Sequence, residues 1–161
     1  MKKIMILISL MVLCSFSVSA ALTDNLVSYW SFDSDASDDY DVNDWTVTGA
    51  THITSGQKLG DGAYSFDGND YISLSSNMFS GKTTTTGAMW VYVDSYPNMN
   101  VGLLHSWTPT GQVAYDITSS GALEFWINSA QRATYGSAIG TGQWVHLTWV
   151  VDGTNLKIYK N

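Results

Sequence analysis

The sequence predicts an all-β fold of two antiparallel sheets, and three observations support this class. Apolar and polar residues alternate with period 2 in short stretches, and no stretch sustains the 3.6-residue period of an amphipathic helix. Turn residues (Gly, Pro, Asn and Asp) separate these stretches about every ten residues. Residues 152–155, Asp-Gly-Thr-Asn, join two alternating segments in the manner of a hairpin turn. Many short strands between polar turns are typical of a sandwich or jelly roll.

The alternating stretches give the predicted strands in order. They cover residues 27–32, 63–66, 71–74, 88–93, 112–117, 122–128, 144–151 and 156–159. In the segment GDGAYSFDGNDYISL, residues 60–74, we expect residues 67–70 to form the turn that joins two of these strands. We expect the apolar and aromatic residues on either side to pack in those strands, namely Tyr64, Phe66, Tyr71, Ile72 and Leu74. A cation-binding turn is the alternative interpretation.

The first 20 residues have the composition of a secretory signal peptide. Lys2 and Lys3 precede an apolar run, and Val18-Ser19-Ala20 forms a small-residue cleavage site. That run is shorter than the roughly 20 apolar residues that a membrane-spanning helix needs. We therefore expect residues 1–20 to be removed, residues 21–161 to form one domain, and the protein to be secreted to the extracellular space, the cell surface or the periplasm.

Removal of this leader also determines the cysteine content and the net charge of the mature chain. Cys14 is the one cysteine of the sequence, and Leu13 stands where a lipoprotein signal would have a small residue. The mature chain then has no disulfide, so packing must supply its stability. Five basic and 14 acidic side chains remain, a charge of −9. Such a surface repels nucleic acid and anionic membranes, and it suits neutral ligands or cations.

Several segments together resemble one family. They are LVSYWSFD at 26–33, VTGATHITSGQKLGDGAYSFDGNDYISL at 47–74, GAMWVYVDS at 87–95 and GTGQWVHLTWVVDGTNLKIYKN at 140–161. In order and spacing they resemble a laminin G-like domain of the concanavalin A-like lectin/glucanase superfamily. The resemblance implies a jelly-roll sandwich. Because members of this family usually continue past the last segment with further strands, we expect the domain to be incomplete at its C-terminus, with a strand edge uncovered.

Strand parity predicts surfaces that mix aromatic and hydrogen-bonding side chains. On the strand 122–128 one face carries Glu124, Trp126 and Asn128, and on the strand 88–93 one face carries Trp90 and Tyr92. Flat rings stack on the apolar faces of sugars, while amides and carboxylates bind hydroxyl groups. These five residues are therefore the predicted ligand-binding residues. Packing of any one of them between the sheets is the alternative.

Acidic residues predict a candidate calcium site. Six aspartates lie within residues 33–44, and carboxylate oxygens are ligands that calcium prefers. The spacing does not match an EF-hand loop, so a solvated acidic loop is the alternative. The predicted calcium ligands are Asp33 with Asp35 or Asp67 with Asp70, because these residues lie at the ends of predicted strands. Calcium as a cofactor is further implied by the resemblance, since jelly rolls of this family often carry it.

Catalytic patterns are weak in this sequence. Glu124 is the one glutamate, and Trp126 stands where the Glu-x-Asp-x-x-Glu pattern of glycosidases would have aspartate. None of the three histidines has zinc-motif spacing. We therefore expect an exported, non-catalytic binding or adhesion module for a glycan or a surface protein, with calcium as a candidate cofactor. The alternatives are a structural or protein-contact module of a larger surface protein and, less favoured, a glycan-active enzyme domain.

Overall fold

The computed structural model describes residues 23–74, 78–79, 81–106, 113–127, 130–153 and 155–161, with only the backbone described at 130–132. The predicted leader and Asn128 therefore lie outside the described residues. Regular structure in the described ranges consists of β-strands, which confirms the all-β class. The strands are β1 (Trp45–Thr48), β2 (Thr51–Ile53), β3 (Ala63–Ser65), β4 (Tyr71–Leu74), β5 (Thr84–Tyr92), β6 (Val101–Ser106), β7 (Val113–Ile117), β8 (Leu123–Ile127), β9 (Ala130–Tyr135), β10 (Trp144–Asp152) and β11 (Asn155–Lys160).

Two antiparallel sheets account for the larger strands. One has four strands in the order β6-β7-β8-β9, and the other has three in the order β11-β10-β5. The predicted hairpin is confirmed: β10 pairs with β11, and Asp152 lies opposite Asn155 at the turn. Gly153 adopts φ 58° there, a left-handed conformation that tight hairpin turns require and that glycine adopts without a steric penalty. Two shorter ladders, β1 with β4 and β2 with β3, complete the described pairing.

The core lies between the four-stranded and the three-stranded sheet. Alternate residues of the strands at the centre of each sheet are buried, because successive side chains point to opposite faces of a sheet. The buried apolar residues that contact one another are Tyr115, Ile117, Leu123, Phe125, Ile139, Val145, Leu147 and Trp149. Each large side chain of this kind contributes about 1.5–3 kcal/mol through burial. The residues between them must therefore face outward, on the two external surfaces of a sandwich.

Trp149 is the largest inward side chain of the three-stranded sheet. Its ring is 5.5 Å from that of Tyr115 and 6.2 Å from that of Phe125, so it bridges the two sheets. In the neighbouring strand, Gly87 lies opposite Trp149, and a Cβ added there would overlap the indole ring. The glycine is thus required by a close approach of side chain to backbone.

The predicted strand at residues 27–32 is wrong, because its backbone is bound by carboxylates and not by a ladder. Asp38 accepts a hydrogen bond from the amide of Tyr29 at 2.9 Å, and Asp39 accepts one from the amide of Ser31 at 2.9 Å. Phe32 then adopts φ 60°, which no strand residue does. Burial alone would raise the pKa of Asp38, but the backbone amides, that of Tyr29 first, outweigh it and lower the pKa to about 2.

The pairing of the segment 60–74 also differs from the prediction. Residues 67–70 do form a turn between β3 and β4, but β3 pairs with β2 and β4 pairs with β1. The expected packing of two aromatics is wrong, since Phe66 is 53% exposed and Tyr71 is 55% exposed. Tyr64 does pack: its ring is 5.3 Å from that of Phe32. β1, β2, β6 and β9 were not predicted, because they are short, polar or interrupted by a bulge.

In the part of the chain that the structure describes, no helix has the length and apolar character needed to span a membrane.

Candidate functional site

The external surface of the four-stranded sheet carries the candidate site. Tyr115 and Phe125 point into the core, so Asp116 and Glu124 point outward, and the register places these two carboxylates directly opposite each other. We call this surface the β6–β9 face. Its described members are Asn100, Gly102, His105, Ala114, Asp116, Glu124, Trp126 and Thr134.

Two contacts organise the polar side chains of the β6–β9 face. The Nε2 atom of His105 lies 2.5 Å from Oδ1 of Asp116 and forms an ion pair when the imidazole is protonated. The Nδ2 group of Asn100 donates a hydrogen bond of 3.2 Å to Oε2 of Glu124. A Cβ at Gly102 would overlap the His105 ring, so the glycine allows the imidazole to approach the backbone of its own strand. The face therefore carries two pairs of bonded polar side chains, whose carboxylates lie opposite each other in the register.

Trp126 lies beside this polar cluster and outside the core. It is two residues from Glu124 on the same strand, and the small side chain of Ala114 lies opposite it. The ring is partly exposed and does not belong to the buried apolar cluster. Its Nε1 atom is buried without a hydrogen-bond partner among the described residues. The indole thus borders a surface of carboxylates, an amide and an imidazole.

Trp90 and Tyr92, the other described residues predicted to bind ligand, lie on the opposite side of the sandwich. They belong to the external surface of the three-stranded sheet, which we call the β5–β10 face. There Trp90 is 4.9 Å from the His146 ring, and Tyr92 is 5.6 Å from the Trp144 ring. The structure therefore divides the predicted ligand-binding residues between two faces, with Glu124 and Trp126 on one and Trp90 and Tyr92 on the other.

The β5–β10 face is partly covered by the chain itself. The indole of Trp144 donates a hydrogen bond of 2.8 Å to the carbonyl of Gly56, and Nζ of Lys58 lies 4.8 Å from the centre of the Trp90 ring. Both contacts come from the loop between β2 and β3. That loop therefore contacts Trp90 and Trp144, whereas Tyr92 on the same face is 45% exposed.

The predicted metal ligands in the acidic segment bind backbone amides. Oδ1 of Asp33 accepts a hydrogen bond of 2.7 Å from the amide of Asp61, which ties the N-terminal segment to the β2–β3 loop. Oδ1 of Asp35 accepts a hydrogen bond of 2.8 Å from the amide of Ser37, and the bonds from Ser37 lower the pKa of Asp35. Asp35 therefore accepts a hydrogen bond from its own loop, and Asp33 accepts one from a loop that is distant in sequence.

The second predicted pair, Asp67 and Asp70, also stabilises its own turn. Oδ2 of Asp70 accepts a hydrogen bond of 2.8 Å from the amide of Asp67. Across the described ranges, no group of three or more His, Cys, Asp and Glu side chains could hold a metal ion. The side chains do not fit a calcium site by themselves, because calcium takes six to eight oxygen ligands. Calcium binding stays a prediction, and it would need backbone carbonyls or water for most of its ligands.

Three residues of the β6–β9 face were not identified from the sequence, namely Asn100, His105 and Asp116. The alternation of VAYDI at Val113–Ile117 does place Asp116 on the polar side of its strand. Asn100 and His105 carried no comparable signal, because β6 contains a bulge between Gly102 and Leu104 that disrupts its alternation.

Comparison with known families fits this architecture. The laminin G-type family model described as the concanavalin A-like lectin/glucanases superfamily matches residues 66–161, which include both sheets of the sandwich. The chain belongs to this superfamily. No curated protein and no solved structure gives a significant match. Membership in this superfamily, with a laminin G-like domain, indicates a binding module.

Proposed function

We propose that this laminin G-like protein is an exported, non-catalytic module that binds a glycan on its β6–β9 face. One observation carries the proposal: the partly exposed ring of Trp126 lies beside Glu124 on one strand, next to Asp116, His105 and Asn100. An aromatic plane bordered by hydrogen-bonding groups is the arrangement that receives a sugar, because the ring contacts apolar C–H groups and the polar groups bind hydroxyls.

The same geometry favours weak binding. The β6–β9 face is the outside of a sheet, and a ligand there keeps many of its hydroxyl groups hydrated. We therefore expect dissociation constants nearer millimolar than nanomolar, about −4 to −6 kcal/mol. Export is supported by the composition of residues 1–20. An adhesion role at a surface would gain strength from several copies acting together.

One feature favours the alternative of a glycan-active enzyme. Asp116 and Glu124 lie directly opposite each other, and glycosidases use two carboxyl groups on either side of the bond that they cleave. In this chain Asp116 is bound by His105, and Glu124 is bound by Asn100, so both serve as hydrogen-bond partners within the face. We propose binding without cleavage. Release of reducing ends from a bound glycan would instead assign hydrolysis.

A glycan array with two matched variants tests the proposal. Trp126→Ala should lose the array signal of the wild-type protein. Tyr92→Ala removes an aromatic side chain that is 45% exposed on the opposite face, and it should retain that signal. Loss of signal in Tyr92→Ala alone would move the site to the β5–β10 face and support the prediction that Trp90 and Tyr92 bind ligand. A wild-type protein that binds no glycan would contradict the proposal.

A further inference from the structure

Among the side chains that the structure describes, Glu124 is a charged group of the β6–β9 face without a cationic partner. Among the described residues its hydrogen-bond partner is the neutral amide of Asn100, and the residue opposite it in β9 is Thr134. The neighbouring carboxylate of Asp116, in contrast, is paired with His105 at 2.5 Å. No Lys or Arg side chain stands among the described members of the face. Glu124 thus has the charge and the access to bind a cation from a ligand.

The position of Glu124 relative to Trp126 determines where that cation would lie. Two residues on the same side of a strand are separated by about 7 Å. A sugar ring stacked on Trp126 therefore has its edge, and the substituents on that edge, toward Glu124. From this arrangement we infer that the β6–β9 face selects amino sugars, whose ammonium group donates a charge-assisted hydrogen bond to Glu124.

The same charges act against acidic ligands. A uronate or sulfate group at that position would meet the carboxylate of Glu124, with the carboxylate of Asp116 directly opposite. Like charges placed together disfavour such a ligand and so add to the selectivity that attraction provides. This inference rests on the proposed function, and it names the class of sugar that the same site takes.

The acidic protein as a whole also attracts cations, so the test must separate the local carboxylate from the net charge, which is −7 for the full sequence and −9 for the predicted mature chain. Glu124→Gln removes the local charge and keeps the shape of the side chain. Asp152→Asn makes the same change in net charge at the exposed β10–β11 turn, on the other sheet. Both variants should unfold at the wild-type temperature, because neither residue belongs to the core.

Titration calorimetry or NMR with three soluble probes gives the readout: oligomers of glucosamine, oligomers of N-acetylglucosamine and oligogalacturonate. The wild-type protein and Asp152→Asn should bind glucosamine oligomers about tenfold more tightly than the acetylated oligomers, and oligogalacturonate most weakly. Glu124→Gln should bind both glucosamine series equally.

Other outcomes overturn the inference in distinguishable ways. Three results would overturn amine selection without contradicting glycan binding. They are equal binding of glucosamine and N-acetylglucosamine oligomers by the wild-type protein, an unchanged preference in Glu124→Gln, and tightest binding of oligogalacturonate. An equal loss of preference in Asp152→Asn would assign the effect to net charge. No binding of any probe or array glycan would overturn both this inference and the proposed function.

Discussion

The same substitution at two tryptophans should have opposite consequences, because Trp126 and Trp149 lie on different sides of their sheets. Trp149 is 5% exposed and packs between Tyr115 and Phe125. Truncating such a side chain leaves a cavity between the sheets, and Trp149→Ala should cost about 3–5 kcal/mol. Trp126 is partly exposed and outside the buried cluster, so Trp126→Ala should cost about 1 kcal/mol.

Denaturant unfolding followed by far-UV circular dichroism measures both values and does not depend on the fluorescence of the replaced residue. A domain of this size has a free energy of unfolding of about 5–15 kcal/mol, so Trp149→Ala should be marginally stable or unfolded. Trp126→Ala should unfold near the wild-type midpoint with an unchanged slope. If Trp126→Ala loses as much stability as Trp149→Ala, the indole packs in the core and the β6–β9 face loses its stacking plane.

Three further perturbations test other parts of the structure. Gly87→Ala should destabilise the fold by about 1–3 kcal/mol, because the added methyl group overlaps the Trp149 ring; calorimetry showing wild-type stability would contradict that contact. Asp38→Asn should lower stability at neutral pH by about 1–3 kcal/mol. The pKa of Asp38 is lowered from 3.8 to about 2, so its contribution to the free energy of unfolding is present above pH 3.8 and is lost as the pH falls through about 2. Asp38→Asn should therefore make the free energy of unfolding depend less on pH in this range. An unchanged pH dependence would show that Asp38 does not contribute in this way. Calcium bound by Asp33 with Asp35 or by Asp67 with Asp70 should give a higher thermal midpoint in millimolar calcium than in chelator; equal midpoints would remove the metal from these aspartates.

Alternation within a strand was sufficient to predict the orientation of the outward residues but not the sheet to which each strand belongs. Glu124 and Trp126 follow from the parity of one strand, and so do Trp90 and Tyr92. Their separation onto opposite faces depends on strand order, and strand order is set by long-range pairing that no local pattern encodes.

Two local features explain the remaining differences. Apolar and polar residues alternate at 27–32 as they would in a strand. The amides of this segment nevertheless donate hydrogen bonds to the carboxylates of Asp38 and Asp39 and not to a neighbouring strand. The bulge in β6 interrupts the alternation that would have predicted the orientation of His105. In both cases side chains or an extra residue replace regular backbone pairing, and local alternation does not predict this.

Nuclear magnetic resonance of the ¹⁵N-labelled protein, titrated with the tightest glycan from the array, tests the central claim most directly. Glycan binding on the β6–β9 face predicts that the indole signal of Trp126 and the backbone amides of Gly102, Ala114 and Glu124 shift together with the ligand concentration. The indole signal of Trp144, which is bound to the Gly56 carbonyl on the opposite face, should stay in place. Shifts at Trp144 and its neighbours, with Trp126 unmoved, would contradict the claim.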